Sequence, residues 1–412
     1  MTTNRNILIV AEILSKSAPF LVSLILARSI SVEDFGIYNT YLATITLLTA
    51  IISLGGESGV SVRYFKQEQK EFSEYITSNI ICSGLILIAA LALLPLYVQA
   101  ATKIGLSQPI IVSILAFSFL SSINNLTLTT TQCAKSTKWF CIICLTPAAT
   151  MVFLIIFILL SQEEIDSRKI IFCHLASIAL TTLLSIIFIK KNKLITRRLT
   201  AAGLKSFLGF STPLLPNIIA GWTRGFYDRY FIAITIGLAF VSFYSVSYQY
   251  LSILLVLNTV FARFYSVRLH ELLKKDLIKK PMTQSGKAAA AILIFAIPYS
   301  AISALSTEIV FGEKYSGIEI LTITLTLGGA ITIINTIYIN HLLYHEKTKQ
   351  ILTASTSSLL IHVLLTTTLI KIFGFSGAGI GYLASTILNC SINYYSSSKI
   401  YKNSPKQKTQ GA

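Results

Sequence analysis

Apolar runs of roughly 20 residues recur from one end of this chain to the other, separated by short polar joints. That is the length an α-helix needs to cross a hydrocarbon layer about 30 Å thick, since each residue advances it by about 1.5 Å. In lipid every backbone N–H and C=O must be satisfied inside the protein, so such a chain is expected to be all-α and polytopic. Mean hydropathy is +0.70, and 53% of the residues are hydrophobic against 12% charged, far from soluble composition. No separate soluble domain fits. The first run holds Glu12 and Lys16, lacks a small-residue cleavage site and flows into the charged turn Glu33–Asp34, which marks a retained first span and not a signal peptide.

Twelve spans are expected, at about 6–30, 38–60, 75–99, 108–131, 139–161, 169–189, 206–235, 240–262, 287–310, 317–343, 351–372 and 378–400. With the N-terminus inside, 25 of the 34 Lys and Arg fall in cytoplasmic segments, 6 fall outside, and Lys16, Arg224 and Arg229 lie within spans. The bias alternates correctly through every loop, and one missed helix would invert all later loops. Both termini are therefore expected in the cytoplasm. External segments carry acids instead, including Glu33, Asp34, Glu163, Glu164, Asp166, Glu308 and Glu313. The formal charge of +17 thus reports topology, not nucleic-acid binding.

A long basic joint lies at mid-chain, as a linker between halves would. Ser61-Val62-Arg63 returns as Ser266-Val267-Arg268, an offset of 205, and Gly36-Ile37-Tyr38 answers to Ser242-Phe243-Tyr244 at 206. Proline recurs as well, with Pro95 late in the third span and Pro298 in the ninth. Six spans bring the chain back to its starting side, so the halves run parallel, a transporter pattern. The expected organisation is a six-helix bundle over 1–190, a basic cytoplasmic linker over 191–205, a second six-helix bundle over 206–400 and a cytoplasmic tail over 401–412. Pro19, Pro147, Pro213 and Pro216 free backbone carbonyls that lipid cannot satisfy, so their segments should face protein or a watery cavity.

Ionisable groups in mid-membrane are the sharpest functional signals, because each costs roughly 2.5–3.5 kcal/mol to place there. Glu12 and Lys16 lie four apart on one helix face and can neutralise each other, so a buried structural pair and a functional one are both open. Arg224, Asp228 and Arg229 exceed a neutral pair and leave a positive sign, which suits an anionic cargo; a guanidinium grips phosphate with two N–H groups. Arg28, near the outer end of the first helix, can pair with Glu33 or Asp34. Trp222, Phe226, Tyr227 and Tyr230 give surfaces on which sugar rings stack, although interfacial belts draw on the same residues. Glu319 reads as an interfacial cap in preference to a coupling carboxylate. His174, His341 and His362 read as hydrogen-bonded packing residues. Among six cysteines, the lone pair Cys141 and Cys144 reads as packing without a second ligand pair for zinc. There is no phosphate-binding GxxxxGK[ST] loop, no GxSxG, and no long outer loop for an acceptor substrate, so an enzymatic centre has nowhere to sit.

Four stretches carry a family resemblance. Ala27-Arg28-Ser29-Ile30-Ser31-Val32-Glu33-Asp34-Phe35-Gly36-Ile37-Tyr38 resembles the helix 1–2 connection of bacterial polysaccharide repeat-unit flippases. These are the O-antigen translocase (Wzx-type) group of the multidrug/oligosaccharidyl-lipid/polysaccharide exporter superfamily. Pro216 through Asp228-Arg229 to Phe243-Tyr244-Ser245-Val246 is similar to that group's seventh and eighth helices, with Ser247 where Ala is usual. Phe311-Gly312-Glu313-Lys314-Tyr315 and Gly374-Phe375-Ser376-Gly377-Ala378-Gly379 resemble two further elements, with Gly379 replacing a usual Ala.

The resemblance implies a fold of two parallel-topology six-helix bundles and a flippase of the bacterial inner membrane that serves O-antigen or lipopolysaccharide synthesis. Its cargo would be an undecaprenyl-diphosphate-linked oligosaccharide moving from the cytoplasmic to the periplasmic leaflet by alternating access. Arg224, Arg229, Asp228, Lys16, Glu12, Arg28, Trp222 and Tyr227 would line the cavity. No cofactor, metal or nucleic acid is expected; a proton or sodium gradient is the drive it allows, and polysaccharide polymerase machinery a partner it allows. The rival readings are a multidrug/cation antiporter, which should line its cavity with acids, and a membrane enzyme of glycan assembly. A cysteine introduced in 191–205 should react with an impermeant thiol reagent only from the cytoplasmic side; labelling from the periplasm would overturn the topology.

Overall fold

A computed structural model describes residues 2–161, 165–196, 199–274 and 281–402. Glu163, Glu164, Arg197, Arg198, Lys275, Lys279, Lys280 and the tail from 403 lie outside the described residues, as do the side chains of Lys16, Arg263 and Lys274. Within them the chain is helical throughout, with no strand. The helices are α1 (Thr2–Ser29), α2 (Val32–Ser53), α3 (Glu57–Lys66), α4 (Gln69–Ala92), α5 (Leu94–Thr102), α6 (Gln108–Cys133), α7 (Thr137–Leu160) and α8 (Ser167–Lys191). They continue as α9 (Ala201–Ser211), α10 (Leu215–Thr235), α11 (Leu238–Lys274), α12 (Pro281–Leu305), α13 (Thr307–Phe311), α14 (Glu319–Tyr344), α15 (Thr348–Phe373) and α16 (Ser376–Lys402).

Ten helices among the described residues are long and apolar enough to cross a membrane. The chain is a multi-pass membrane protein. Two expected spans are not among the ten: α10, whose 21 residues hold Arg224, Asp228 and Arg229, and α16, diluted by Gly, Ser and Asn. The expected count of twelve therefore rests, for these two, on their place in the chain and not on hydropathy.

Four expected spans are broken: 38–60, 75–99, 206–235 and 287–310, the last at Ser306 between α12 and α13. The 38–60 span divides into α2 and α3 because Leu54 and Gly55 turn left-handed, at φ 51 and 68. Tyr75 on α4 donates its hydroxyl to the freed Gly56 carbonyl at 2.7 Å. The 75–99 span divides into α4 and α5 just before Pro95, and Tyr97 donates to Ala90 O at 2.7 Å. The 206–235 span becomes α9, a 3-10 turn at Thr212–Leu214 and α10, under Pro213 and Pro216. In each of the first two breaks a tyrosine supplies the donor that lipid cannot.

By packing, the chain forms two compact units, 1–239 and 240–412. The repeat-based division put 206–235 with the second half, whereas its contacts put α9 and α10 in the first. The joint expected as a linker is bonded along α4: Ser73 donates to Lys193 O at 3.3 Å, Thr196 N–H to Thr77 Oγ1 at 2.9 Å, and Thr200 to Glu74 Oε2 at 2.7 Å. Leu194 is buried with the α4 core.

In the first unit α2 is flanked by α4, α6, α8 and α10, while α1 packs on α7. In the second, α14 and α16 form the centre between α12 and α15. The two units repeat a polar clamp. In unit 1, Asn124 on α6 donates to Thr182 at 3.0 Å and accepts from Ser185 at 2.7 Å, both on α8. In unit 2, Asn393 on α16 donates to Asn335 on α14 at 2.9 Å. Asn124 and Asn335 are 211 residues apart, as are the starts of α6 and α14, each 26 residues long. The same offset relates Lys135 and Glu346, which end these helices left-handed at φ 53 and 55, and the Thr-Lys pairs 137–138 and 348–349.

Gly36 sets the tightest approach, since a Cβ there would run into the carbonyl oxygen of Leu238, the first residue of α11. Gly36→Val should therefore destabilise the protein by about 1–3 kcal/mol through overpacking. Gly209→Ala on α9, where a Cβ meets nothing within 4 Å, should be neutral or stabilising by up to about 1 kcal/mol. Melting of the detergent-solubilised protein, followed by size-exclusion fluorescence, checks both; a Gly36→Val midpoint equal to wild type would disprove the close contact.

A cationic aromatic helix held on α2

The α10 sequence places Trp222, Phe226 and Tyr230 four apart, one above another on a single face. Trp222 stacks on Phe226 with centroids 6.1 Å apart and meets Tyr230 edge-on at 5.4 Å. Two hydrogen bonds fasten this face to α2: Trp222 Nε1–H donates to Ala43 O at 2.9 Å, and the Tyr230 and Thr44 hydroxyls bond to each other. The Thr44 hydroxyl also donates to Thr40 O at 2.7 Å, so Tyr230 is the donor to Thr44. Further along, Ile218 covers the glycine break of α2, leaving no room for a Cβ at Gly55. The two helices run antiparallel, from Gly36 beside Leu238 to Gly55 beside Ile218.

The charged residues follow from that anchoring. Asp228 and Arg229 are 1% and 5% exposed. The Arg229 guanidinium lies 4.9 Å from the Phe226 centroid and donates through Nη1 to Gly225 O at 3.2 Å, a cation–π seat in low dielectric. Arg224 is partly buried, and Tyr227 stacks on Phe231 at 6.0 Å. α10 thus carries a partly buried cation, a buried carboxylate, a buried guanidinium and flat aromatic rings, groups whose chemistry suits an anion or a sugar ring.

The other expected site residues lie on α1. Glu12 is partly buried, Arg28 is exposed and Lys16 is in α1 with its side chain outside the described ones. The structure thus puts Arg224, Asp228, Arg229, Trp222 and Tyr227 on α10, with Trp222 bonded to α2, and Glu12, Lys16 and Arg28 on α1, the helix that packs with α7. Asp34 is a cap: it accepts from the Ser31 hydroxyl at 2.6 Å and from Ser167 N–H at 3.1 Å, tying the start of α2 to that of α8. Glu319 Oε1 accepts from Gly317 N–H at 3.2 Å, also a cap. Cys144 faces Ala11 O at 3.7 Å inside an apolar cluster with Cys141, and the described residues hold no group of three metal-ligating side chains. In the Phe311–Tyr315 element, Gly312 adopts φ 107, Tyr315 is fully buried against Phe243, and burial pulls the Lys314 ammonium below its ordinary value.

Two features were not read from the sequence. Tyr230, ranked among the aromatics only as a stacking surface, is the anchor of α10; its partner Thr44 has no signature in an apolar run. Arg63, counted as a loop cation, turns inward between Tyr75 and Phe210, at 5.9 and 5.7 Å, and donates to Ser206 O at 3.3 Å, joining α3, α4 and α9.

A family profile described as "Polysaccharide biosynthesis protein" matches residues 1–264, which takes in the whole of α10 and most of α11. The chain belongs to the polysaccharide biosynthesis protein family. This family member is 24% identical over 411 residues to the Lsg locus putative protein 1 of Haemophilus influenzae (strain ATCC 51907 / DSM 11121 / KW20 / Rd), a match covering 96% of the chain and 98% of that relative. Its fold is similar to that of the lipid II flippase MurJ in an inward closed conformation, with a TM-score of 0.73 at 15% identity, over 97% of this chain and 88% of the other. It is also similar to the inward-facing conformation of a multidrug resistance MATE family transporter of the MOP superfamily, with a TM-score of 0.64 at 15% identity, over 95% and 96% of the two chains. The polysaccharide biosynthesis protein thus has the exporter-superfamily fold expected above.

The Tyr230–Thr44 bond should contribute about 1 kcal/mol to seating α10. A double-mutant cycle of Tyr230→Phe and Thr44→Val, read by thermal unfolding in detergent, should give a coupling of that size; additive effects would rule the bond out.

Proposed function

We propose that this polysaccharide biosynthesis protein is a flippase for a lipid-linked glycan. It turns an undecaprenyl-diphosphate-linked oligosaccharide, the repeat unit of O-antigen or a similar surface polysaccharide, from the cytoplasmic to the periplasmic leaflet of the inner membrane. Two bundles alternate access, both termini are cytoplasmic, and polymerase machinery receives the product. The observation that carries this reading is the set Arg224, Asp228 and Arg229 on α10, inside a membrane protein of a polysaccharide-synthesis family. The fold likeness to the lipid II flippase MurJ supports the same cargo class.

The chemistry follows from the residues. Arg229 spends one N–H on the carbonyl of its own helix, so a phosphate oxygen can replace that acceptor without leaving a donor bare. Asp228 neutralises part of the charge, which keeps phosphate binding reversible, as a carrier needs. Trp222 and Tyr227 offer ring faces to the first sugars. On α1, Glu12, Lys16 and Arg28 complete the lining. The positive sign of α10 speaks against a carrier of cationic drugs, and the fold neighbours are transporters, not enzymes.

Arg224→Ala and Arg229→Ala should each abolish surface polysaccharide while the protein remains in the membrane at wild-type level, with the lipid-linked unit accumulating on the cytoplasmic leaflet. Lys at either position should restore only part of the activity, because an ammonium lacks the planar fork. Normal polysaccharide in both alanine variants would remove this site from the account.

A further inference from the structure

Three of the five histidines meet at one end of the second unit: His270 on α11, and His341 and His345 on α14. His341 is fully buried. Its Nε2 lies 2.7 Å from the hydroxyl of Ser285 on α12, and its Nδ1 lies 2.8 Å from the hydroxyl of Tyr401 on α16. Tyr401 in turn lies 3.4 Å from Nε2 of His345, the partly exposed residue that ends α14. His270 Nε2 bonds to Asn340 O at 3.2 Å and fixes the neighbouring turn. Hydrogen bonds thus run Ser285, His341, Tyr401, His345 from the interior to the edge, through three helices.

The choice of partners is what makes this more than packing. A histidine held by a carbonyl or a backbone N–H is committed to one protonation state at that nitrogen. Both nitrogens of His341 meet hydroxyls, which accept as readily as they donate. Neutral or cationic, the ring remains fully hydrogen-bonded, so a proton can come and go without a buried donor or acceptor being orphaned. The exporter fold leaves open what drives it, and this cluster has the properties of a site that takes the driving ion.

We propose that His341 is a proton-binding site of the transport cycle, loaded from the aqueous edge through His345 and Tyr401. The cycle is that of the flippase reading above; the binding of the proton does not depend on it. In the loading step a proton on His345 Nε2 passes to Tyr401 Oη as Tyr401 gives its own proton to His341 Nδ1. His345 ends neutral, Tyr401 remains a neutral phenol, and His341 becomes an imidazolium that donates to both Tyr401 and Ser285. The Tyr401 hydroxyl now points its hydrogen at His345. Loading therefore changes which residue Tyr401 serves, and with it how the end of α16 is held on α14.

The surrounding charges keep the proton exchangeable. On α14 and just beyond it stand His345, Glu346 and Lys347; on α11, His270 with Arg268 and Glu271, which pair at 3.9 Å; on α12, Lys287; on α15, Lys349; on α16, Lys399 and Lys402. The excess is cationic and opposes a second proton nearby. Burial and then Lys347 pull the His345 imidazole below its ordinary value.

The test uses the full chain in nanodiscs with 15N-labelled histidine rings, the His341 signal being identified by its loss in His341→Gln. That signal should show a protonation step within the pH range over which the protein stays folded, and Tyr401→Phe, which keeps the ring, should move its midpoint. A His341 ring in one protonation state throughout, or a midpoint indifferent to Tyr401→Phe, would overturn the site. Proteoliposomes with a fluorescent undecaprenyl-diphosphate-linked disaccharide and an imposed pH gradient test the coupling: wild type should respond, and His341→Gln should flip the lipid but lose the response. An unchanged response in His341→Gln would overturn the coupling. If wild type does not move this lipid at all, the cargo reading fails, and the titration still decides the proton site.

Discussion

A helix in lipid has no water to complete its hydrogen bonds, and most of what is distinctive here follows from how broken helices are completed from inside. The α2–α3 break exposes the Gly56 carbonyl, and Tyr75 fills it; the α4–α5 break is met by Tyr97. Each repair ties two segments together, so the interruption becomes a fixed corner. The first corner admits Ile218 over Gly55 and thereby fixes one end of α10. The other end is fixed where Leu238 O lies against Gly36. Between them, Tyr230 and Trp222 bond to α2. A helix too charged to be a comfortable span on its own is held by a partner at both ends and the middle, and its Arg229 is seated on the Phe226 ring and the Gly225 carbonyl.

The same rule explains the wealth of Ser, Thr and Asn in the spans. Many of these hydroxyls return to the carbonyl one turn back in their own helix, as Thr40 does to Gly36 O at 2.9 Å, and so present an apolar face to lipid. The exceptions are informative. Asn124 with Ser185 and Thr182, and Asn335 with Asn393, cross between helices at matching positions of the two units. An unmatched amide in hydrocarbon is expensive, so each clamp selects one register for its helix pair.

Fold class was legible because hydropathy, loop charge and length all report one thing, the bilayer. Helix ends were less so. The breaks at Leu54–Gly55, Leu93 and Thr212–Leu214 depend on local backbone angles that a smooth apolar average hides, although Gly55 and the prolines were visible. The repeat was found at an offset of 205 from short motifs, whereas the Asn124–Asn335 relation sits at 211, because the loops between the motifs and these helices differ in length. The packing of α10 could not be read from the repeat: the expected division put it with the second half, while its bonds go to α2. At the candidate site, the charges on α10 stood out as rare letters in an apolar run. Thr44, Tyr230 and the histidine cluster did not, because hydroxyl and ring partners come from distant helices and no spacing within one helix reveals them.

Charge balance links the cation helix to the drive. Arg224 and Arg229 against Asp228 leave α10 one positive charge, and Glu12 with Lys16 adds none. A diphosphate diester carries about two negative charges at neutral pH, so the loaded carrier would cross hydrocarbon with roughly one charge unmatched, a state that low dielectric penalises by several kcal/mol. Arg28 is exposed at the end of α1 and too well hydrated to cancel it fully. A single proton bound elsewhere in the protein would bring the sum for the loaded complex to zero. On the proposed flippase reading the fixed charges return with each cycle, so a diphosphate accompanied by one proton still carries one net negative charge outward, a movement that an inside-negative membrane potential favours.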